Sequence, residues 1–109
     1  MSIAETVEQI IKEAQLTPIE ARCIVLRFGL RGETPNRLND RVALFQADET
    51  IMVKKVTRDW VRNKEVRALE KMRGARERLK IDASEMRKEW KEEPYKGLCD
   101  VILGIGIYG

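Results

Sequence analysis

Histidine is absent from the chain, and cysteine occurs only twice, at Cys23 and Cys99. Without an imidazole there can be no Ser-His-Asp or Cys-His arrangement, and the two thiols lack the partners of an ordinary Cys/His zinc site. They stand far apart in apolar surroundings, which fits two thiols of a reducing cytoplasm better than a disulfide. No glycine-rich phosphate loop, nucleophile elbow or metal-ligand spacing occurs. The sequence therefore calls for no enzymatic chemistry, no cofactor and no metal, and the adjacent Glu92 and Glu93 read as a solvated helix end. Long apolar runs are missing too. The longest, "VILGIGIYG", is too short to span a bilayer, and "MSIAETVEQI" has neither the basic start nor the apolar run of a signal peptide. The expected setting is the cytoplasm, with no membrane partner. Seven glycines and three prolines in 109 residues are few, and the abundance of Leu, Ile, Val, Ala, Arg, Lys and Glu predicts a mostly helical chain.

What is present is charge. Charged residues make up 36% and apolar ones 43%, the composition of a folded, well-solvated small domain. The net charge of +3 is modest, but its distribution is uneven. Lys54 to Lys80 holds eleven basic residues against Asp59, Glu65, Glu70 and Glu77, a local +7 that leaves −4 for the rest of the chain. A single positive segment in an otherwise acidic chain is the footprint of a phosphate-facing element.

Helix starts are marked by a repeated device. "SIAE" and "TPIE" are capping boxes, with Ser2 and Thr17 as caps and Glu5 and Glu20 as the returning acids; Pro18 sits where a first-turn proline is tolerated. Ile3, Val7, Ile10, Ile11 and Ala14 keep helical spacing, as do Ala21, Ile24, Val25 and Phe28. Gly29 and Gly32 stop the second helix, and Pro35 marks a turn. Asn36 is the expected cap of a third helix through Leu38, Val42, Leu44 and Phe45. In "QADETIMVKK" either Asp48 caps a short helical turn or Thr50 to Val53 is extended. Thr57 starts a long helix through Val61, Ala68, Leu69 and Met72, with Gly74 as its weak point. "DASE" is a third box, opening Asp82–Lys91, and Pro94 ends that helix. "GLCDVILGIGIYG" differs in texture. It is nearly uncharged and alternates with period two, so an irregular tail is expected. That tail either folds back on the core or docks on a second copy or another polypeptide.

The blocks "LTPIEARCIVLRFGL" and "VTRDWVRNKEVRALEKMR" resemble region four of the housekeeping-type bacterial sigma factors, the RNA polymerase subunits that find promoters. The first matches through Leu16, Thr17, Glu20, Arg27, Phe28, Gly29 and Leu30, with Gly32 and Pro35 in the following loop and Leu38 opening the next helix. The second matches the recognition helix, and the resemblance covers about Leu16–Arg73. It implies an all-α small helical domain with a helix-turn-helix, over residues 1–80, followed by a C-terminal helix and apolar tail over 81–109. Four or five helices are expected. The chain departs from the family where Gln46 to Lys55 expands the tight turn, where "DRVALF" lacks the family glycine, and where Lys64 and Val66 replace other residue types.

The N-terminal half of a recognition helix enters the major groove. Arg58 and Arg62 suit guanine O6/N7, Asn63 suits adenine and Asp59 can accept from cytosine N4. These four are the base-reading candidates. By the resemblance they fall on positions that face the upstream promoter element. Lys54, Lys55, Thr57, Arg67 and Arg73 are the phosphate-contact candidates. Ile24, Phe28, Leu38, Phe45, Val61, Leu69 and Met72 are the expected core, and Trp60 and Trp90 are expected to pack under helices rather than stack on bases.

The resemblance implies a sigma-like transcription regulator that binds promoter DNA, RNA polymerase or both. In 109 residues there is no room for the promoter-melting parts, so an accessory role or part of a split sigma factor is expected. The alternative is a protein-interaction module, polymerase- or partner-binding, that keeps the fold without reading sequence. In the family the apolar N-terminal helices of region four also dock on the flap of the polymerase β subunit.

Overall fold

Helix-favouring composition and well-placed caps yield six α-helices and no strand in the computed structural model, which describes residues 1–104. Helix α1 spans Ile3–Glu13, α2 Pro18–Phe28, α3 Leu38–Gln46, α4 Arg58–Arg78, α5 Ala83–Glu89 and α6 Tyr95–Ile102. Both N-terminal capping boxes close. Ser2 accepts from the Glu5 backbone and Glu5 from that of Ser2, while Thr17 and Glu20 repeat the exchange at α2. Gly29 ends α2 in the left-handed conformation, φ 76°. A side chain there would also strike Pro35, whose ring lies 2.7 Å from the place a Cβ would take.

Other local expectations are corrected. Asn36 does not cap α3: Arg37 holds that position without a side-chain bond, and the Asn36 amide donates to the carbonyls of Thr34 and Leu26. Asp48 caps no helix, and the stretch after it is not a strand. It accepts from both the backbone N–H and the hydroxyl of Thr50, an Asx turn. The long helix expected from Thr57 does form: α4 runs 21 residues, through Gly74, to its C-cap at Leu79. At α5 the Asp82 side chain accepts from the Ser84 backbone, so only half of the expected exchange forms.

Helix α4 is the spine, packing against α1, α2, α3 and α6. Its inner face carries Val61, Glu65, Ala68, Leu69, Met72 and Ala75, all buried. Leu69, Met72 and Ala75 join residues of α1, α2, α5 and α6 in the main core. Val61 joins Cys23, Leu26, Val42, Phe45 and Val56 in a smaller second cluster between α2, α3 and the start of α4. Phe28, expected in the core, is only half-buried; it packs on the rim of the main cluster with Arg27 above its ring. Leu38 is likewise partly buried at the second cluster.

The largest revision concerns the C-terminal stretch. Residues through Ile102 form a sixth helix rather than an irregular tail, and Leu98, Cys99, Val101 and Ile102 are buried in the main core. Leu98, Cys99, Val101 and Ile102 keep the one-, three- and four-residue steps of a single helix face, which the alternation further along overrode in the sequence, and α4, α5 and α2 supply the surface that buries it. The main cluster crosses the expected boundary after residue 80, since Met86, Trp90 and Leu98 share it with Leu69 and Met72. The rest of the expected tail, 105–109, lies outside the described residues.

Candidate nucleic-acid interface

The basic segment divides into two populations. Its C-terminal half, apart from the exposed Lys80, is occupied within the fold. Lys71 pairs with Glu20 at 2.7 Å, Arg78 with Glu13 at 3.1 Å, and Arg76 donates to the Ile81 carbonyl. Arg73 donates to the carbonyls of Val101 and Ile102, at 2.9 and 3.1 Å, satisfying acceptors at the C-terminal end of α6. That position is a correction for Arg73, whose guanidinium is engaged in holding α6 rather than presented for phosphate.

The N-terminal half is different. Lys54, Lys55, Arg58, Arg62 and Arg67 are all exposed. None of them has an ion-pair or hydrogen-bond partner among the described residues. Asp59 and Asn63 are also exposed. Thr57 caps the helix, its hydroxyl accepting from the Trp60 backbone at 3.1 Å. That bond satisfies one first-turn donor and leaves others at the positive end of the helix dipole. Seven of the nine sequence candidates thus sit together at or just ahead of the start of α4, and Arg67 follows further along the same helix.

Two aromatic contacts fix this end. Trp60 meets Phe45 edge-on with centroids 5.9 Å apart, and Lys64 lies over the Trp60 ring at 5.6 Å. Trp60 therefore packs between α3 and α4, as expected, and the departure at Lys64 becomes a cation–π contact. Further along, the outer face of α4 mixes types: Val66, at 36% exposure, is followed by Arg67, Glu70 and Glu77. From Met52 to Lys64 the first turns and the loop before them hold five cations against Asp59 alone.

The sequence reading missed the buried ion cluster that positions these turns. Glu65 is 2% exposed and Arg41 5%. Arg41 Nε and Nη2 donate to the two Glu65 oxygens at 2.6 and 3.0 Å, and its Nη1 donates to the Asn36 carbonyl at 2.6 Å. Arg27 of α2 stands 3.8 Å from the same carboxylate. Burial and the neighbouring Arg41 lower the Arg27 pKa, while Glu65 opposes that shift. Glu65 lies one helical turn from Val61 of the second cluster and one turn from Leu69 of the main core. The carboxylate is a polar seam between the two cores, binding α2, α3 and α4 at one point. Its signal in the sequence was an acid at the inward register of an otherwise apolar stripe.

The loop Gln46 to Lys55 is ordered at its base. Gln46 Nε2 donates to the Val56 carbonyl at 3.0 Å, Arg22 pairs with Asp48 at 2.5 Å, and Ile51 packs on the second cluster. The groove beneath it is lined by Thr17, Ile19, Arg22, Phe45 and Ile51. Among the described residues there is no cluster of acids and thiols able to hold a metal and no helix long and apolar enough to cross a membrane. Compared with known proteins, the chain matches no family model, no curated protein and no solved structure.

Proposed function

We propose that the chain is a sigma-like transcription regulator that binds promoter DNA through the start of α4, with RNA polymerase as its second partner. One observation carries the reading. Lys54, Lys55, Arg58 and Arg62, exposed and without internal partners, cluster at and just ahead of a threonine-capped helix end, with Arg67 further along the same helix, while Lys71, Arg73, Arg76 and Arg78 are engaged within the fold. In this reading Arg58 and Arg62 bond guanine edges, Asn63 an adenine and Asp59 a cytosine amino group. Lys54, Lys55 and Arg67 neutralise phosphates and set the register. Contact ends after about three turns, because Glu70 and Glu77 would meet phosphate with like charge. Selection from a randomised duplex pool at moderate salt tests the proposal. A consensus should emerge, with affinity falling steeply as salt rises.

A second reading, a polymerase- or partner-binding module, draws on the same outer face. Val66 beside Glu70 and Glu77 suits a protein better than a polyanion. Val7 and Ile10 of α1 and Ile24 of α2 are inside the main core, so docking would use this face of α4. Failure to enrich any duplex, with salt-insensitive capture of purified polymerase, would favour it.

A further inference from the structure

The loop ahead of α4 carries a feature that folding does not require. Met52 is 92% exposed and Val53 40%, although both flanks of the tip are pinned by Ile51 and by the bond from Gln46 to the Val56 carbonyl. The exposure is therefore built on an ordered base. The next two residues are Lys54 and Lys55, and Arg58 opens the helix. The acids of the loop lie before the anchor: Asp48 is paired with Arg22, and Glu49 precedes Ile51. From Met52 onward the first acid is Asp59.

We propose that Met52 and Val53 form an apolar wedge that enters the minor groove beside the site read by α4, bending the duplex. This rests on the DNA-binding reading above. The order along the chain matches the order across a duplex: Arg58 and Arg62 at the major-groove edge, Lys54 and Lys55 at the intervening phosphates, Met52 beyond them. Four residues separate Met52 from Thr57, five Cα–Cα steps with an extended reach of at most roughly 18 Å. That is enough to cross one phosphate strand bordering a major groove about 12 Å wide. Methionine is among the side chains that proteins insert between base steps, and exposed lysines supply the attraction that holds such a wedge in place. The step it opens should be a flexible pyrimidine–purine one. A polyanion explains the lysines beside the apolar tip, whereas an apolar protein groove would have to desolvate them.

The test measures end-to-end energy transfer across a doubly labelled selected duplex, with affinity at fixed salt. The unaltered protein should bend the duplex by about 20–90°. Met52→Ser should lose the bend and roughly ten- to hundredfold in affinity, the worth of one buried methionine side chain, with an unchanged Tm. Met52→Leu should retain both. Replacing Lys54 and Lys55 with alanine should lower the salt slope by about 2. A straight duplex, or a Met52→Ser protein that binds and bends like the original while Arg58→Ala loses selectivity, overturns the wedge and leaves base reading standing. A protein that selects no duplex, and whose capture of purified RNA polymerase is lost in Met52→Ser, overturns both in favour of a protein partner.

Discussion

Glu65 and Arg41 show how much rests on single residues in a molecule of this size. Each is nearly inaccessible, so removing Glu65 leaves Arg41 buried without its carboxylate and takes the counter-ion from Arg27 as well. Glu65→Ala should cost about 3–5 kcal/mol, whereas replacing both residues with apolar ones should recover most of that loss. Urea unfolding of the singles and the double checks this, and a single-variant cost below about 1 kcal/mol would mean that water reaches the pair. Cys23 makes a separate prediction. Burial, with the nearby Glu65 carboxylate, pushes its thiol up from an ordinary value of 9.0 to about 12. The thiol should stay unreactive toward maleimide in the folded protein near neutral pH. Because the folded state holds this proton more tightly than the unfolded chain, its contribution is complete below pH 9 and is lost as pH rises from about 9 to about 12. Alkaline unfolding curves should therefore fall more steeply for the unaltered protein than for Cys23→Ala, by up to about 1.4 kcal/mol per pH unit.

At the scale of one element, α4 serves two purposes along its length, and its arginines separate them. Arg62→Ala and Arg58→Ala should each weaken specific DNA binding by about 1–3 kcal/mol and change stability by no more than about 0.5 kcal/mol. Arg73→Ala should do the reverse. It removes charge-assisted bonds to the last carbonyls of α6, worth roughly 1.5–3 kcal/mol, and should leave the salt dependence of DNA binding unchanged. Paired thermal melts and salt titrations distinguish the two. Equal effects of Arg62→Ala and Arg73→Ala on both measurements would contradict this division. The helix junction before α3 is equally specific. Gly29 combines a positive φ with contact to Pro35, so Gly29→Ala should lower stability by more than the ~1 kcal/mol that a neutral glycine site would gain.

Over the whole molecule, two apolar clusters occupy a body 42 × 24 × 23 Å, and the main one depends on α6. Burying Leu98, Val101 and Ile102 contributes about 1.5–3 kcal/mol each, against typical total stabilities of about 5–15 kcal/mol. Deleting Gly97–Gly109 should therefore unfold the protein or sharply lower its melting temperature. A truncated protein that kept its helical circular dichroism and melting point, and lost only an oligomer or a partner in sizing experiments, would show that this segment serves association instead.

The sequence by itself determined the local structure at the helix ends. Capping boxes at Ser2 and Thr17, the cap at Thr57 and the stop at Gly29 were legible because each depends on side chains within three or four residues of the bond they make. The inward stripe of α4 and the cluster of exposed basic residues at its start were legible for the same reason, since helical spacing places them. Only the tertiary structure decided the rest. Whether Arg73 faces phosphate or a carbonyl depends on α6, nearly thirty residues away. Whether "GLCDVIL" becomes tail or core depends on the surface that α4, α5 and α2 supply. The union of Glu65 with Arg41 and Arg27 joins three helices whose relative placement no local pattern encodes. Short-range bonds and periodicity are written into neighbouring residues, whereas the partner of a buried charge or an apolar face is settled only when distant elements compete for the same surface.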